Sequence, residues 1–359
     1  MNTNYNIHNL INVSVDQETK PWVLNQIEFQ IRFFKVDHDC NLKSNINIYP
    51  YKELIQSKKE LAKFHDFSFD SGSFLIEDKK SFAVVKKNNG FDIFTDKPIL
   101  INIFIQMLLN EDISFVHAAA IKKPNGGIIL MPGAGGVGKT AIVGSMVKEN
   151  GYKLLGDDLI LLEKTGKCFA FPRPFILKDY HRNVYPEIFE ELELGKNNLL
   201  DFRKILKFLI KNAPFFDFIK KELMKLKLYN NVVFNIPKTE DFLAAVPIQK
   251  ILGDDCVELS GEIDKIIFLE RYSGEEFKLE KIDEKSLSNR MFSIIHHEFV
   301  DYIRDFFVIG SSELLDINDY FDKSFNTIKS AIRNKDCEKL YIPEKASPKD
   351  LYDYFNSII

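Results

Sequence analysis

The chain has 359 residues, 45% of them hydrophobic, enough for about two domains with large buried cores. This excludes a disordered protein or a small disulfide-stapled scaffold. Forty-eight Lys and Arg against 52 Asp and Glu leave a net charge of −4, so the molecule as a whole has no electrostatic reason to seek nucleic acid or anionic lipid. Cys40, Cys168, Cys256 and Cys337 lie far apart with no Cys-x-x-Cys pair, which argues against structural zinc and for reduced thiols. The first 20 residues carry neither the basic leader nor the apolar segment of a signal peptide, and no apolar run is long enough to span a bilayer. A cytoplasmic protein is expected.

From Ile27 to Phe33 the apolar residues Ile27, Phe29, Ile31 and Phe33 alternate with Glu28, Gln30 and Arg32, which predicts a strand with one buried face. The stretch SFAVVKKNNGFDIFT (81–95) predicts a hairpin turning at Asn89-Gly90. An apolar helix is expected over Ile99–Leu109. Residues 1–112 thus read as a small N-terminal α+β module, a candidate for substrate or partner binding. Residues 113–359 read as a second domain.

That second domain opens with a predicted strand, SFVHAAAI (114–121), then a turn at Pro124-Asn125-Gly126-Gly127 and a short buried strand, IILM. A glycine-rich loop follows, then a helix from Lys139 to about Glu149 that stops at Asn150-Gly151. The chain re-enters a strand at Tyr152–Leu155, passes Asp157-Asp158 and forms a predicted hairpin, LILLEKTGKCFAFP, turning at Lys164–Lys167. Between 179 and 230 the spacing becomes helical. Basic residues outnumber acidic ones over 201–228, either as solvated lysine faces or as a lid or docking surface for an acidic substrate. A further strand, DKIIFLER (264–271), and a helix-rich tail from Glu284 complete the chain.

The motif that carries chemistry is Gly133-Ala134-Gly135-Gly136-Val137-Gly138-Lys139-Thr140, which fills every fixed position of G-x-x-x-x-G-K-[ST] between a predicted strand and a predicted helix. Backbone N–H groups of such a loop converge on phosphate oxygens, and the helix N-terminus adds partial positive charge. The nucleotide contacts are therefore expected from Gly133 through Thr140 and the adjoining Ala141. Lys139 is expected on the β- and γ-phosphates, and the Thr140 hydroxyl on Mg²⁺. A parallel β-α-β return would bring Asp157 and Asp158 beside the loop on the neighbouring strand. Successive side chains in an extended segment point to opposite sides, so one carboxylate can face the metal and the other an acceptor hydroxyl. The plain alternative is a solvated turn after Gly156. Arg173, held between Pro172 and Pro174, is a candidate contact to phosphate or substrate. His117 by itself reads as a core histidine before it reads as a site residue. His296 and His297 are adjacent in a helical pattern, a poor geometry for one metal.

Taken together, His117-Ala-Ala-Ala-Ile, the segment Gly127–Thr140 and GYKLLGDDLILL (151–162) resemble the kinase core of the HPr kinase/phosphorylase family, whose relatives include free-serine kinases and kinases of ribosomally made peptides. The resemblance covers residues 115–178, with a fainter match at DKIIFLER. It implies an α/β fold with a P-loop core of the phosphoenolpyruvate-carboxykinase-like kind, built on a mixed sheet; the basic helical insertion expected at about 179–230 lies outside the resemblance. It further implies Asp157 as general base, Asp158 with Thr140 at magnesium, and His117 near the reacting phosphate. Thr140 stands where the family more often has serine, and no copy of the downstream signature that accompanies phosphorylase activity is found. The expected activity is an ATP- and Mg²⁺-dependent transfer of the γ-phosphoryl group to a hydroxyl, serine of a protein or peptide. The alternatives are a small-metabolite kinase of the shikimate-kinase or free-serine kind, and a nucleotide-binding regulatory ATPase. Neither a nucleic-acid nor a membrane partner is expected, and an oligomer is compatible with the sequence.

Overall fold

The computed structural model describes residues 2–38, 42–51, 61–77, 81–97, 99, 101–109, 112–178, 181–182, 185–194, 242–298 and 300–359. Residues 1–174 and 248–359 form one compact unit, and 175–247 a second.

The first unit opens with β1 (Thr3–Ile7), β2 (Ile11–Val15), α1 (Pro21–Ile31), β3 (Lys35–Val36), β4 (Ser44–Tyr49), β5 (Ala62–Phe64), β6 (Phe67–Asp70), β7 (Phe74–Glu77), β8 (Phe82–Lys87), β9 (Gly90–Thr95) and α2 (Ile101–Leu109). Its strands make one mixed sheet in the order β3-β1-β2-β4-β9-β8-β7-β6-β5, with β4 parallel to β2 and β9. The strand expected over Ile27–Phe33 is instead the end of α1 followed by a 3₁₀ turn at Arg32–Phe34. Val23, Ile27, Gln30 and Ile31 form its buried stripe. Ile27 and Ile31 satisfy both a period of two and a spacing of four, while Pro21 at the start and the added turn with Val23 decide for helix.

The β8–β9 hairpin forms with Lys87 opposite Gly90, so its two-residue connection is Asn88-Asn89 and Gly90 begins the strand. At φ +151°, a Cβ on Gly90 would lie 1.7 Å from the Asn45 carbonyl oxygen on β4. Gly90→Ala is therefore expected to cost at least about 1–3 kcal/mol of stability, the range for a residue held in a sparsely populated conformation. Denaturant titration checks it, and an unchanged midpoint would show that β4 and β9 can separate freely.

The second sheet begins with β10 (Ile113–Val116), β11 (Ala118–Lys122), β12 (Ile128–Pro132), α3 (Lys139–Asn150), β13 (Lys153–Gly156), β14 (Ile160–Glu163) and β15 (Lys167–Phe169). The 175–247 unit contains β16 (Phe175–Lys178), α4 (Pro186–Leu194) and β17 (Phe242–Val246), with β16 and β17 antiparallel. The basic segment expected over 201–228 lies outside the described residues. The first unit resumes with α5 (Ile248–Leu252), β18 (Ser260–Tyr272), β19 (Lys278–Lys281), α6 (Glu284–Glu298), α7 (Val300–Ser311), α8 (Ile317–Ala331), β20 (Asp336–Pro343) and α9 (Pro348–Ser357). The tail expected to be helical thus also contributes β20, which pairs in parallel with β18 over Lys265–Tyr272.

The second sheet runs β10-β14-β15-β18-β12-β11-β13, with β20 on β18 and β19 on β20. It too is mixed, and the chain belongs to the α/β class. Two local expectations are corrected. The single strand foreseen over 114–121 breaks at His117: Val116 pairs with Ile160 of β14, and Ala118 pairs with Pro132 of β12. Asp157-Asp158 does not follow the strand next to β12, because β11 lies between β12 and β13, antiparallel to both. The narrow Ala118, Ala119 and Ala120 side chains are fully buried there. Antiparallel insertion has one positional result: the start of β11 lies at the same sheet edge as the carboxyl ends of β12 and β13.

The core of the first unit is continuous across position 112. Val13, Ile46, Ile93 and Phe104 share one buried cluster with Phe115, Leu161, Phe171, Ile295 and Val308. At the chain's end α9 lies against α3, with Asn150 Nδ2 donating to Asn356 Oδ1 at 2.8 Å.

Candidate active site

The glycine-rich loop links β12 to α3, and its last glycine, Gly138, has φ +108°. A Cβ there would lie 2.4 Å from Leu351 Cδ2 of α9, so the backbone conformation calls for glycine and any side chain would also have to push the Leu351 methyl aside. Ala141 N donates to Gly138 O at 3.1 Å, closing the first turn of α3.

Lys139 is 6% exposed. Its Nζ donates to Gly133 O at 2.6 Å and Ala134 O at 2.9 Å, and lies 3.0 Å from His117 Nε2. Burial lowers the lysine pKa, opposed by the Asp158, Asp157 and Glu298 carboxylates. An ammonium has no lone pair to accept with, so His117 Nε2 is the acceptor and the ring proton sits on Nδ1. That Nδ1 is 3.4 Å from Asp158 Oδ1. Burial first, and the neighbouring Lys139 second, push the His117 pKa down to about 4, with only partial opposition from Asp158 and Glu298. The ring is neutral at pH 7.

The two adjacent carboxylates are held differently. Asp157 Oδ2 accepts from Thr140 Oγ1 at 2.6 Å, while its Oδ1 is buried with no hydrogen-bond partner among the described residues. Burial raises its pKa to about 6, against the Thr140 hydrogen bond and Lys139. Asp158 faces the other way. Its Oδ2 accepts from Arg173 Nη1 at 3.0 Å and its side chain is 39% exposed. Burial works to raise its pKa, but Arg173, His117 and Lys139 outweigh it and the net direction is down. Arg173 is itself oriented by Pro172 and Pro174 in the chain and by the Phe29 ring, 5.5 Å from its guanidinium carbon.

The candidate site residues named from the sequence therefore meet at one sheet edge: Gly133–Thr140 with Ala141 from β12 and α3, His117 from the head of β11, Asp157 and Asp158 from the end of β13, and Arg173 beyond β15. The partner of Thr140, however, is Asp157 and not Asp158, the residue that the family resemblance assigns beside it at magnesium. His296 is packed elsewhere, its ring 4.4 Å from that of Phe292 and 5.0 Å from that of Phe321. Among the described residues no group of three or more His, Cys, Asp or Glu is arranged to hold a metal ion.

Sequence reasoning missed Glu298. This exposed carboxylate, the last residue of α6, accepts from Gly135 N at 2.7 Å, so a negative group already stands on a loop amide. Nothing local marks it, because it is 163 positions away in the chain. No protein-family model matches this chain, and a search of curated proteins finds no significant match.

Proposed function

We propose that this chain is an ATP- and Mg²⁺-dependent kinase, similar to the HPr kinase/phosphorylase family, that phosphorylates a hydroxyl, serine of a protein or ribosomally made peptide. The observation that carries the reading is the convergence of a complete phosphate loop, a buried lysine–histidine contact and two differently held carboxylates at one sheet edge. The Glu298 carboxylate on Gly135 N supports it as well, since it marks that amide as a site for an anion.

The donor set suits magnesium. It usually takes one or two carboxylates plus phosphate oxygens and water, so it does not call for a three-ligand protein cage, of which there is none among the described residues. The unpartnered Asp157 Oδ1 and the adjoining Thr140 hydroxyl are the groups that would hold it. When bound there, the ion supplies neutralisation of phosphate charge. In this reading the roles first assigned by resemblance are exchanged: Asp157 serves the metal and Asp158 serves the acceptor. The Asp158 side chain is 39% exposed, and the Arg173 guanidinium fixes its direction, with His117 Nδ1 3.4 Å away. As the acceptor oxygen bonds to the γ-phosphorus and the bond to the β-bridging oxygen breaks, the hydroxyl proton passes to Asp158 and ADP leaves. Lys139 gives its donors, now on Gly133 O and Ala134 O, to the phosphates. His117, neutral, keeps the ammonium placed.

Incubation with γ-labelled ATP, Mg²⁺ and serine-bearing peptides, free serine and small hydroxylated metabolites tests the reading. Label on a peptide serine supports it. Label on a metabolite alone moves the acceptor class, and release of free phosphate alone makes the chain an ATPase. Glu298→Ala should raise nucleotide affinity about threefold to tenfold, since a hydrogen bond that competes with the ligand is removed. A loss of affinity in that variant would instead make Glu298 part of the binding site.

A further inference from the structure

Strand β12 has two neighbours in the second sheet. On one side stands β11 with His117 at its head, and beyond it β13 leading to the carboxylates. On the other side stands β18, joined to the loop by a parallel bridge between Gly133 and Leu269. A cleft of about 570 Å³ opens on this second side, between loop residues Ala134–Val137, the end of β18 and one face of α6. We propose that this cleft receives the base and ribose of the nucleoside triphosphate whose phosphates occupy the loop. The inference rests on the phosphate-loop reading above and adds the place of the nucleoside.

Three features support this occupant. The volume falls in the range of small-molecule sites, about 300–1,000 Å³. The same residues, Ala134–Val137, bound the cleft and form the phosphate loop, so a ligand with an anionic tail and a flat body meets both without a gap. The walls also fit the chemistry of a nucleoside. Arg290 contributes a planar cation held by Glu270 and lying over the Phe268 ring, 5.4 Å from its centroid, a surface on which a base can stack. Asn289 and Ser293, four residues apart on α6 and both exposed, face it; the Ser293 hydroxyl donates to Asn289 O at 2.7 Å and keeps its oxygen as an acceptor for a ribose hydroxyl, and the Asn289 amide can meet a base edge. An acceptor peptide fits less well, because the loop stands between this cleft and Asp158. Placing the nucleoside here leaves the His117–Asp158–Arg173 side open to the acceptor.

The test compares two ligands on the full-length chain by calorimetry in Mg²⁺: ATP, which needs both sites, and inorganic tripolyphosphate, which needs only the loop. Ser293→Trp, at an exposed helix position, should weaken ATP at least about tenfold and tripolyphosphate less than about twofold. Asn289→Ala should weaken ATP about fivefold with tripolyphosphate unchanged, and it carries the same comparison should the tryptophan variant fail to fold. Equal losses for both ligands, or ATP affinity intact in both variants, would overturn the cleft assignment while leaving the loop reading in place. An intact ATP affinity with a raised KM for the phosphate acceptor would give the cleft to the acceptor. If the native chain binds neither ligand, the phosphate-loop reading itself falls, and this inference with it.

Discussion

Asp158→Asn is expected to lower phosphoryl transfer by about 10²–10⁴-fold, the usual share of a positioned general base, while Mg²⁺·ATP affinity changes little. The amide keeps the shape of the carboxylate and can still accept from Arg173, so the 3.0 Å contact has a replacement and the fold has little reason to respond. What it loses, on the kinase reading proposed above, is the ability to take the acceptor proton. Asp157→Asn is the contrasting arm. That residue sits against Thr140 with a buried, unpartnered oxygen, so its loss should raise the Mg²⁺ concentration needed for half-maximal activity. Single-turnover rates across a Mg²⁺ series separate the two. If added Mg²⁺ rescues Asp158→Asn and not Asp157→Asn, the roles revert to those implied by the family resemblance.

Lys139→Ala should weaken both ATP and tripolyphosphate by about 10–100-fold, the worth of one or two charge-assisted hydrogen bonds to phosphate. The loss on both ligands distinguishes it from the cleft variants, which spare tripolyphosphate. A second consequence follows from the free protein, where the ammonium donates to Gly133 O and Ala134 O and contacts His117 Nε2. Removing it strips donors from two loop carbonyls and relieves the His117 ring of a positive neighbour that pushes its pKa down. The His117 titration, followed by NMR, should therefore move upward from about 4. An unmoved titration would mean that burial alone holds the ring neutral.

The grouping of the candidate residues was readable from sequence because its signals are local. The spacing of Gly133, Gly138, Lys139 and Thr140 marks a glycine-rich strand-to-helix loop within eight residues, and one helix and one strand bring the chain back to Asp157-Asp158. Arg173 and His117 were legible as candidates by residue type, though only the fold shows that both reach Asp158. Which carboxylate faces Thr140 was not legible. Two neighbours in an extended segment point oppositely, and strand pairing, not residue identity, decides which one points inward. The same holds for strand order, because inserting β11 between β12 and β13 is a tertiary choice that neither strand announces. α1 was misread since Ile27 and Ile31 fit two periodicities at once. Glu298 and the α6 face of the cleft depend on contacts across more than 100 positions.

The side chain that backs Gly138 is Leu351, and the strand that flanks β18 over Lys265–Tyr272 is β20, both contributed by the final stretch of the chain. During synthesis the loop leaves the ribosome more than 200 residues ahead of that backing. A chain cut before β20 would thus carry every residue of the glycine-rich motif and still lack both the side chain packed behind Gly138 and the strand beside β18.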